Sequence, residues 1–148
     1  MRLSTRSRYG TRMMLDLAQH HDEGPVRIGE IARRQDMPVK YLEQLIIPLK
    51  KGNFIKSVRG PKGGHMLARP PEEITVGQIV KMLENGIDLS GCIENPGECE
   101  RSGRCLTRGI WEDASKAMYD KLNSITLSNM LDMEERLKCT ARSSVYRP

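Results

Sequence analysis

Asp36-Met-Pro-Val-Lys-Tyr-Leu-Glu-Gln-Leu-Ile-Ile-Pro-Leu-Lys-Lys51, followed at once by Gly52-Asn-Phe-Ile-Lys-Ser-Val-Arg-Gly-Pro-Lys-Gly-Gly-His-Met-Leu-Ala68, decides the fold of this 148-residue chain. Asp36-Met-Pro38 reads as a turn, and Pro38, with its fixed φ, suits the first position of a helix. In that helix Tyr41, Leu42, Leu45, Ile46 and Leu49 recur on one side. Pro48 interrupts the pattern and is expected to kink the helix or end it early, because it removes a backbone donor. Just upstream, Ile28, Ile31 and Ala32 form a shorter apolar stripe. Two short helices joined by a tight turn make a helix-turn-helix, whose second member enters the major groove of DNA. Phe54–Val58 and His65–Ala68 then flank the Gly/Pro-rich tip Arg59-Gly-Pro-Lys-Gly-Gly64, which predicts a hairpin. A hairpin after a helix-turn-helix is the wing of a winged helix. Arg59, Gly60 and Lys62 at its tip stand on backbone that can approach phosphates or a minor groove closely.

Outward from this centre, Tyr9, Met13, Met14, Leu17 and Ala18 predict a first helix from Ser4, ended by Gly24-Pro25. His20 and His21 lie near its C-terminus, where histidine meets the helix dipole favourably. Thr75 and Gln78 form a capping box for a helix bearing Val76, Ile79, Val80 and Leu83, closed by Asn85-Gly86. Cys92, Cys99 and Cys105 then fall within fourteen residues on a Gly/Pro-bearing loop. Clustered thiolates suit a soft metal or an iron–sulfur cluster, although structural zinc, a thiol redox switch and inert cysteines answer to the same spacing. A long helix from about Thr107 carries Ile110, Trp111, Ala114, Ala117, Met118, Leu122 and Ile125. Its stripe is about 28 Å long at 1.5 Å per residue, more than one small winged helix can cover. A second copy of the helix is its expected cover, so the chain is read as a homodimer. Thr126 caps a last helix with Leu127, Met130 and Leu131, and from Lys138 a polar tail is expected to fray.

The expected fold class is therefore mainly α with a small β wing. Four regions follow: a winged helix-turn-helix DNA-binding domain over 1–85, a cysteine-bearing loop over 86–106, the dimerisation and final helices over 107–137, and a polar tail over 138–148.

Charge supports the division. Residues 1–70 carry 14 Lys and Arg against 6 Asp and Glu, a net +8, whereas residues 71–148 carry 10 against 13, a net −3. A basic front suits a polyanion, here a double-stranded DNA operator, and an acidic back suits sensing or pairing. A solvated, mixed-charge surface would look similar without the motifs. The N-terminus has the charge of a signal peptide but no apolar run follows, and no stretch has the length of a membrane span. A cytoplasmic protein without membrane attachment is expected, with its cysteines as thiols or ligands rather than disulfides. No Ser/His/Asp set, phosphate-binding loop or GxGxxG motif appears, and three scattered histidines make no catalytic group, so no enzyme is expected.

Met1-Arg-Leu-Ser4, Arg8-Tyr-Gly10, Tyr41-Leu-Glu-Gln-Leu45, Ser57-Val-Arg-Gly-Pro-Lys-Gly-Gly64, Cys105-Leu-Thr-Arg-Gly-Ile-Trp111 and Asn123-Ser-Ile-Thr-Leu127 together resemble the IscR-type winged-helix regulators of the Rrf superfamily. The resemblance runs from residue 1 to about 132. It implies homodimers that bind operators near promoters, often with an iron–sulfur cluster on three loop cysteines. It assigns that role to Cys92, Cys99 and Cys105, with a 2Fe–2S cluster ahead of a 4Fe–4S one. It also implies that Glu43 and Gln44 face bases, with Lys40 and Tyr41 beside them, and that Arg59 enters the minor groove. Side-chain chemistry agrees: Gln pairs with adenine, Glu accepts from cytosine, and Arg suits a narrow electronegative groove.

Two departures qualify the resemblance. Where the histidine-bearing relatives place a fourth ligand, three residues after the last cysteine, this chain has Arg108, a poor ligand. The first cysteine gap is one residue longer. Cys139, Glu94, Glu98, Thr107 or a side chain from a partner's first helix remain candidates for the fourth position. The expected function is a homodimeric transcriptional regulator whose operator binding follows an iron–sulfur cluster, in iron–sulfur, redox or nitric-oxide sensing. The alternative is a cluster-free winged-helix repressor controlled by a partner protein, a small ligand or thiol oxidation.

Overall fold

The computed structural model describes residues 3–86 and 88–144, with side chains described to residue 140. Helix α1 (Thr5–Gln19) opens at Ser4, whose hydroxyl accepts from the Ser7 amide. A short 3-10 turn and Gly24, at φ 91°, lead to α2 (Ile28–Gln35). Asp36, in the left-handed region, turns the chain into α3 (Val39–Lys51). The hairpin β1 (Ile55–Val58) and β2 (Gly64–Leu67) is antiparallel, with Ile55 opposite Leu67 and Ser57 opposite His65. Helix α4 (Val76–Glu84) starts with the predicted Thr75–Gln78 capping box and ends at Asn85. The cysteine region forms the short α5 (Gly91–Glu94) and two 3-10 turns. Helix α6 (Leu106–Asn123) and α7 (Leu127–Ser144) complete the chain. The mainly helical fold with a two-stranded wing is the one read from the sequence.

One continuous core holds α1 to α4 and the hairpin together. Met13, Met14 and Leu17 of α1 meet Ile31, Leu42, Leu45, Leu49, Leu67, Ile79 and Leu83, all nearly or fully buried. Each such side chain contributes about 1.5–3 kcal/mol on leaving water, so this set carries most of the stability. Leu127 joins the same core, and the Gln19 amide donates to Glu134 at 2.5 Å, which lays α7 back along α1. By contrast α6 rests on α4, with Lys81 over the Tyr119 ring, but adds little to this core: Ser115 is its one buried residue among those described.

Three expectations need correction. Helix α3 runs through Pro48 to Lys51 rather than breaking. Pro48 lies in the last turn, so one lost donor is outweighed by burial of Leu45, Ile46 and Leu49 on either side of it. Pro38 is the N-cap of α3 rather than its first residue. Helix α7 continues past Lys138, where a fraying tail was expected, to Ser144. Residues 145–148 of that expected tail lie outside the described residues.

Candidate nucleic-acid interface and cysteine loop

Burial of Leu42, Leu45, Ile46 and Leu49 fixes the rotation of α3 and turns Lys40, Glu43 and Gln44 to solvent. Tyr41 stands at the edge of that face. It is half-buried, with its ring edge-on to Tyr9 at 5.6 Å between centroids. Lys50 and Lys51 continue the exposed basic end of the helix. The wing is held beside it from two directions. Val26 and His65 exchange both backbone hydrogen bonds at 2.8 Å, and Arg27 donates to the Pro61 carbonyl at the tip at 2.6 Å. Gly64 is required there, because a Cβ would collide with the Val26 carbonyl. Gly60 takes φ 113°, which lets the tip reverse and leaves Arg59 and Lys62 exposed. Across the hairpin, Ser57 Oγ and His65 Nδ1 lie 3.0 Å apart. Burial lowers the His65 pKa from 6.5, and Lys50 lowers it further. The structure thus brings Lys40, Glu43, Gln44, Arg59, Gly60 and Lys62 to the exposed surfaces of one helix and one hairpin, with Tyr41 bracing the helix against α1.

Sequence reading missed what aims this surface. The carboxylate of Asp16, buried in α1, is held by Arg34 and Gln35 of α2, and Arg12 reaches the Gln35 carbonyl. Glu84 of α4 accepts from Ser7 Oγ at 2.5 Å and from the Ser4 amide at 3.0 Å. Burial would raise the Glu84 pKa, but these two serines hold it below its usual value. The partners are far apart in sequence and carry no motif.

The cysteine loop is tied to α6 rather than to α3. The Leu89 amide donates to Ser115 Oγ at 2.9 Å, and Arg108 donates to the Ser102 carbonyl at 3.3 Å while pairing with Glu112 at 3.5 Å. Arg108, the departure from the resemblance at the fourth-ligand position, therefore fastens the loop to the helix through Ser102. Cys92, Cys99 and Cys105 are half-buried free thiols, with Cys92 Sγ 3.1 Å from Ser90 Oγ and Cys105 Sγ 3.1 Å from Thr107 Oγ1. Cys105 is the N-cap of α6, and its pKa is lowered by the Thr107 hydroxyl and then by the Arg108 amide. The donor chemistry suits a thiophilic group. Among the described residues, however, no three His, Cys, Asp or Glu side chains converge as a metal-holding set. Of the other candidates, Glu94 turns toward Gly86, Thr107 is engaged with Cys105, Glu98 is exposed, and Cys139 is exposed on α7.

Residues 3–133 match the family described as Rrf2: Iron-dependent Transcriptional regulator. The chain belongs to the Rrf2 family. It is 50% identical over 131 residues to Protein rrf2 of Nitratidesulfovibrio vulgaris, covering 88% of this chain and 87% of that one. It is 39% identical over 142 residues to the HTH-type transcriptional regulator IscR of Pectobacterium carotovorum, covering 96% and 86%. Among solved structures, that of T. potens IscR is similar at 40% identity and TM-score 0.76 over 93% of this chain and 90% of that one. The global cysteine regulator CymR of B. subtilis is similar at 34% identity and TM-score 0.72, over 90% and 98%. The protein is accordingly a DNA-binding winged-helix transcriptional regulator of the Rrf2 family, whose members are not generally enzymes. Among the described residues no helix is long and apolar enough to cross a membrane.

Proposed function

We propose that this Rrf2-family protein is a homodimer whose operator binding responds to an iron–sulfur cluster on Cys92, Cys99 and Cys105. The observation that carries the reading is the placement of the three thiols on a loop fastened to α6 by Leu89 and Arg108. In it, α3 lies in the major groove with Glu43 and Gln44 on base edges and Lys40 and Tyr41 beside them, while Arg59, Gly60 and Lys62 bring the wing to the minor groove and backbone. Residues 1–85 read DNA, 86–106 sense, and 107–137 pair the copies. The name IscR shared by relatives and the family's description as iron-dependent support a cluster in this loop. When bound, a cluster supplies a redox-labile cross-link among three thiolates. The chain's own part is mechanical. Arg108, engaged with Ser102 and Glu112, transmits the loop's arrangement to α6, which sets the spacing of the two α3 helices across half-sites about one turn of DNA apart. Such coupling requires the group to favour one dimer arrangement over another.

The test is anaerobic purification with iron and sulfide analysis and a visible spectrum. Broad visible bands, bleached by serine at any one of the three cysteines and kept in Cys139→Ser, are expected. Reconstituted protein without bound iron or sulfide overturns the cluster.

A second reading is favoured by one observation, the placement of the Cys105 thiol at the start of α6, 3.1 Å from the Thr107 hydroxyl, which with the Arg108 amide lowers its pKa. There the regulator carries no cluster and responds to thiol oxidation, since the thiolate is the reactive form. A structure of Staphylococcus aureus CymR in an oxidized form, 33% identical at TM-score 0.69, supports this reading by analogy. Peroxide-dependent loss of operator binding that Cys105→Ser abolishes, in iron-free protein, distinguishes it.

A further inference from the structure

Ile47 is 70% exposed in the middle of α3. Single exposed apolar residues are ordinary on protein surfaces, so exposure by itself decides nothing. Its position does. At 100° per residue, the buried side chains Leu42, Leu45, Ile46 and Leu49 centre on one direction, and Ile47 lies within about 30° of the opposite one. It is on the crest of the helix, between Glu43 one turn earlier on one side and Gln44 on the other, and in line with Lys40 and Lys51. An apolar, β-branched side chain therefore occupies the centre of a face whose neighbours are exposed and charged or polar. A protein partner matched to an apolar patch is poorly suited to that surround, since Lys40, Lys50 and Lys51 favour a polyanion. In the major groove, the apolar feature presented by a base edge is the C5-methyl of thymine.

We infer that Ile47 is a specificity-determining residue that reads a thymine methyl in the operator. The inference rests on α3 lying in the major groove. With 1.5 Å of rise per residue, Ile47 is about 6 Å along the helix axis from Glu43, a span of about two base-pair steps. Glu43 or Gln44 would then set one base by hydrogen bonding while Ile47 sets a neighbouring one by contact with its methyl. Replacing that thymine by a G·C pair would face Ile47 with the polar cytosine amine or guanine carbonyl, which an alkyl side chain leaves without a partner.

The experiment begins with operators enriched from random duplex DNA by the full-length protein. Affinity is then measured on the enriched site with each thymine replaced singly by deoxyuridine, which keeps the pairing and removes only the methyl. Wild type is expected to lose about four-fold at one position, the worth of one buried methyl group. Ile47→Ala should bind the thymine and deoxyuridine sites equally, and sites enriched with it should lose the thymine preference there. Ile47 is exposed and alanine is a better helix former, so this variant should keep the wild-type circular dichroism and melting temperature. If every deoxyuridine site binds wild type and Ile47→Ala with equal ratios while Gln44→Ala loses specific affinity, Ile47 reads no methyl and α3 still lies in the groove. If neither Ile47→Ala nor Gln44→Ala nor Glu43→Ala changes the enriched sequence, the placement of α3 fails and the inference falls with it.

Discussion

The carboxylate of Asp16, fully buried in α1, accepts from both Nε and Nη2 of Arg34 on α2, at 3.0 and 2.6 Å. Gln35 adds a third donor at 3.0 Å. The pair fixes the first helix of the helix-turn-helix to the helix behind it, so the placement of α3 depends on a contact away from its own exposed face. The Asp16 hydrogen bond raises the Arg34 pKa, so the guanidinium stays charged.

Removing one partner should cost more than the pair contributes. Arg34→Ala leaves a buried carboxylate with Gln35 as its remaining strong donor, and stability should fall by about 3 kcal/mol, the low end for a broken buried pair because Arg34 is partly open to water. The double variant Asp16→Leu, Arg34→Leu should be more stable than Arg34→Ala. Urea midpoints on the two proteins check this, and an Arg34→Ala loss below about 0.5 kcal/mol would show the pair to be incidental.

The α6 helix should form the dimer seam. Leu106, Ile110 and Trp111 are 90, 59 and 45% exposed, while Tyr119 of the opposite side meets Lys81 of α4. Ile110→Glu together with Trp111→Glu should yield folded monomers, since carboxylates in an apolar seam cannot be paired. Sedimentation velocity across a concentration series checks it; an unchanged dimer would move the interface elsewhere.

The two exposed cations of the wing should behave differently. Arg59→Ala should lose about 1–3 kcal/mol of specific affinity if it reads a groove. Lys62→Ala should weaken all sequences alike and reduce the salt slope of binding by about 1. Fluorescence anisotropy on an enriched operator and a scrambled duplex, each at several salt concentrations, separates the two.

Acid should loosen the wing through His65. Its folded-state pKa lies below 6.5 because of burial and then Lys50, so between the two values the unfolded chain binds the extra proton. The contribution of neutral His65 is fully present above 6.5 and is lost as pH falls through that value toward the folded pKa. The urea midpoint of wild type should drop from pH 7.5 to 5.5, and His65→Gln should show a smaller drop. Equal drops in both proteins would place the proton uptake elsewhere.

Much of the fold was legible because its signals are local. The start of the first helix at Ser4, the Thr75–Gln78 box, the Asn85 terminator and the Gly-rich wing tip each act over a few residues, and each is found where the sequence puts it. So were the candidate sites as positions: a helix face with Glu43 and Gln44, a tip with Arg59 and Lys62, a loop with three thiols. The family resemblance, now matched over residues 3–133, supplied the functional class.

What the sequence left open was decided by packing between distant segments. Pro48 reads as a break by itself, yet Leu45, Ile46 and Leu49 bury on the core and carry the helix past it. Asp16 and Arg34 look like two more surface charges until the apposition of α1 and α2 takes the carboxylate out of water. The Leu89 amide and the Ser115 hydroxyl, 26 residues apart, meet only when the cysteine loop folds back on α6. Local patterns fix which elements form, because their hydrogen bonds and dihedrals lie within a few residues. Which side chains then lose water depends on how those elements meet, and that is a property of the whole chain.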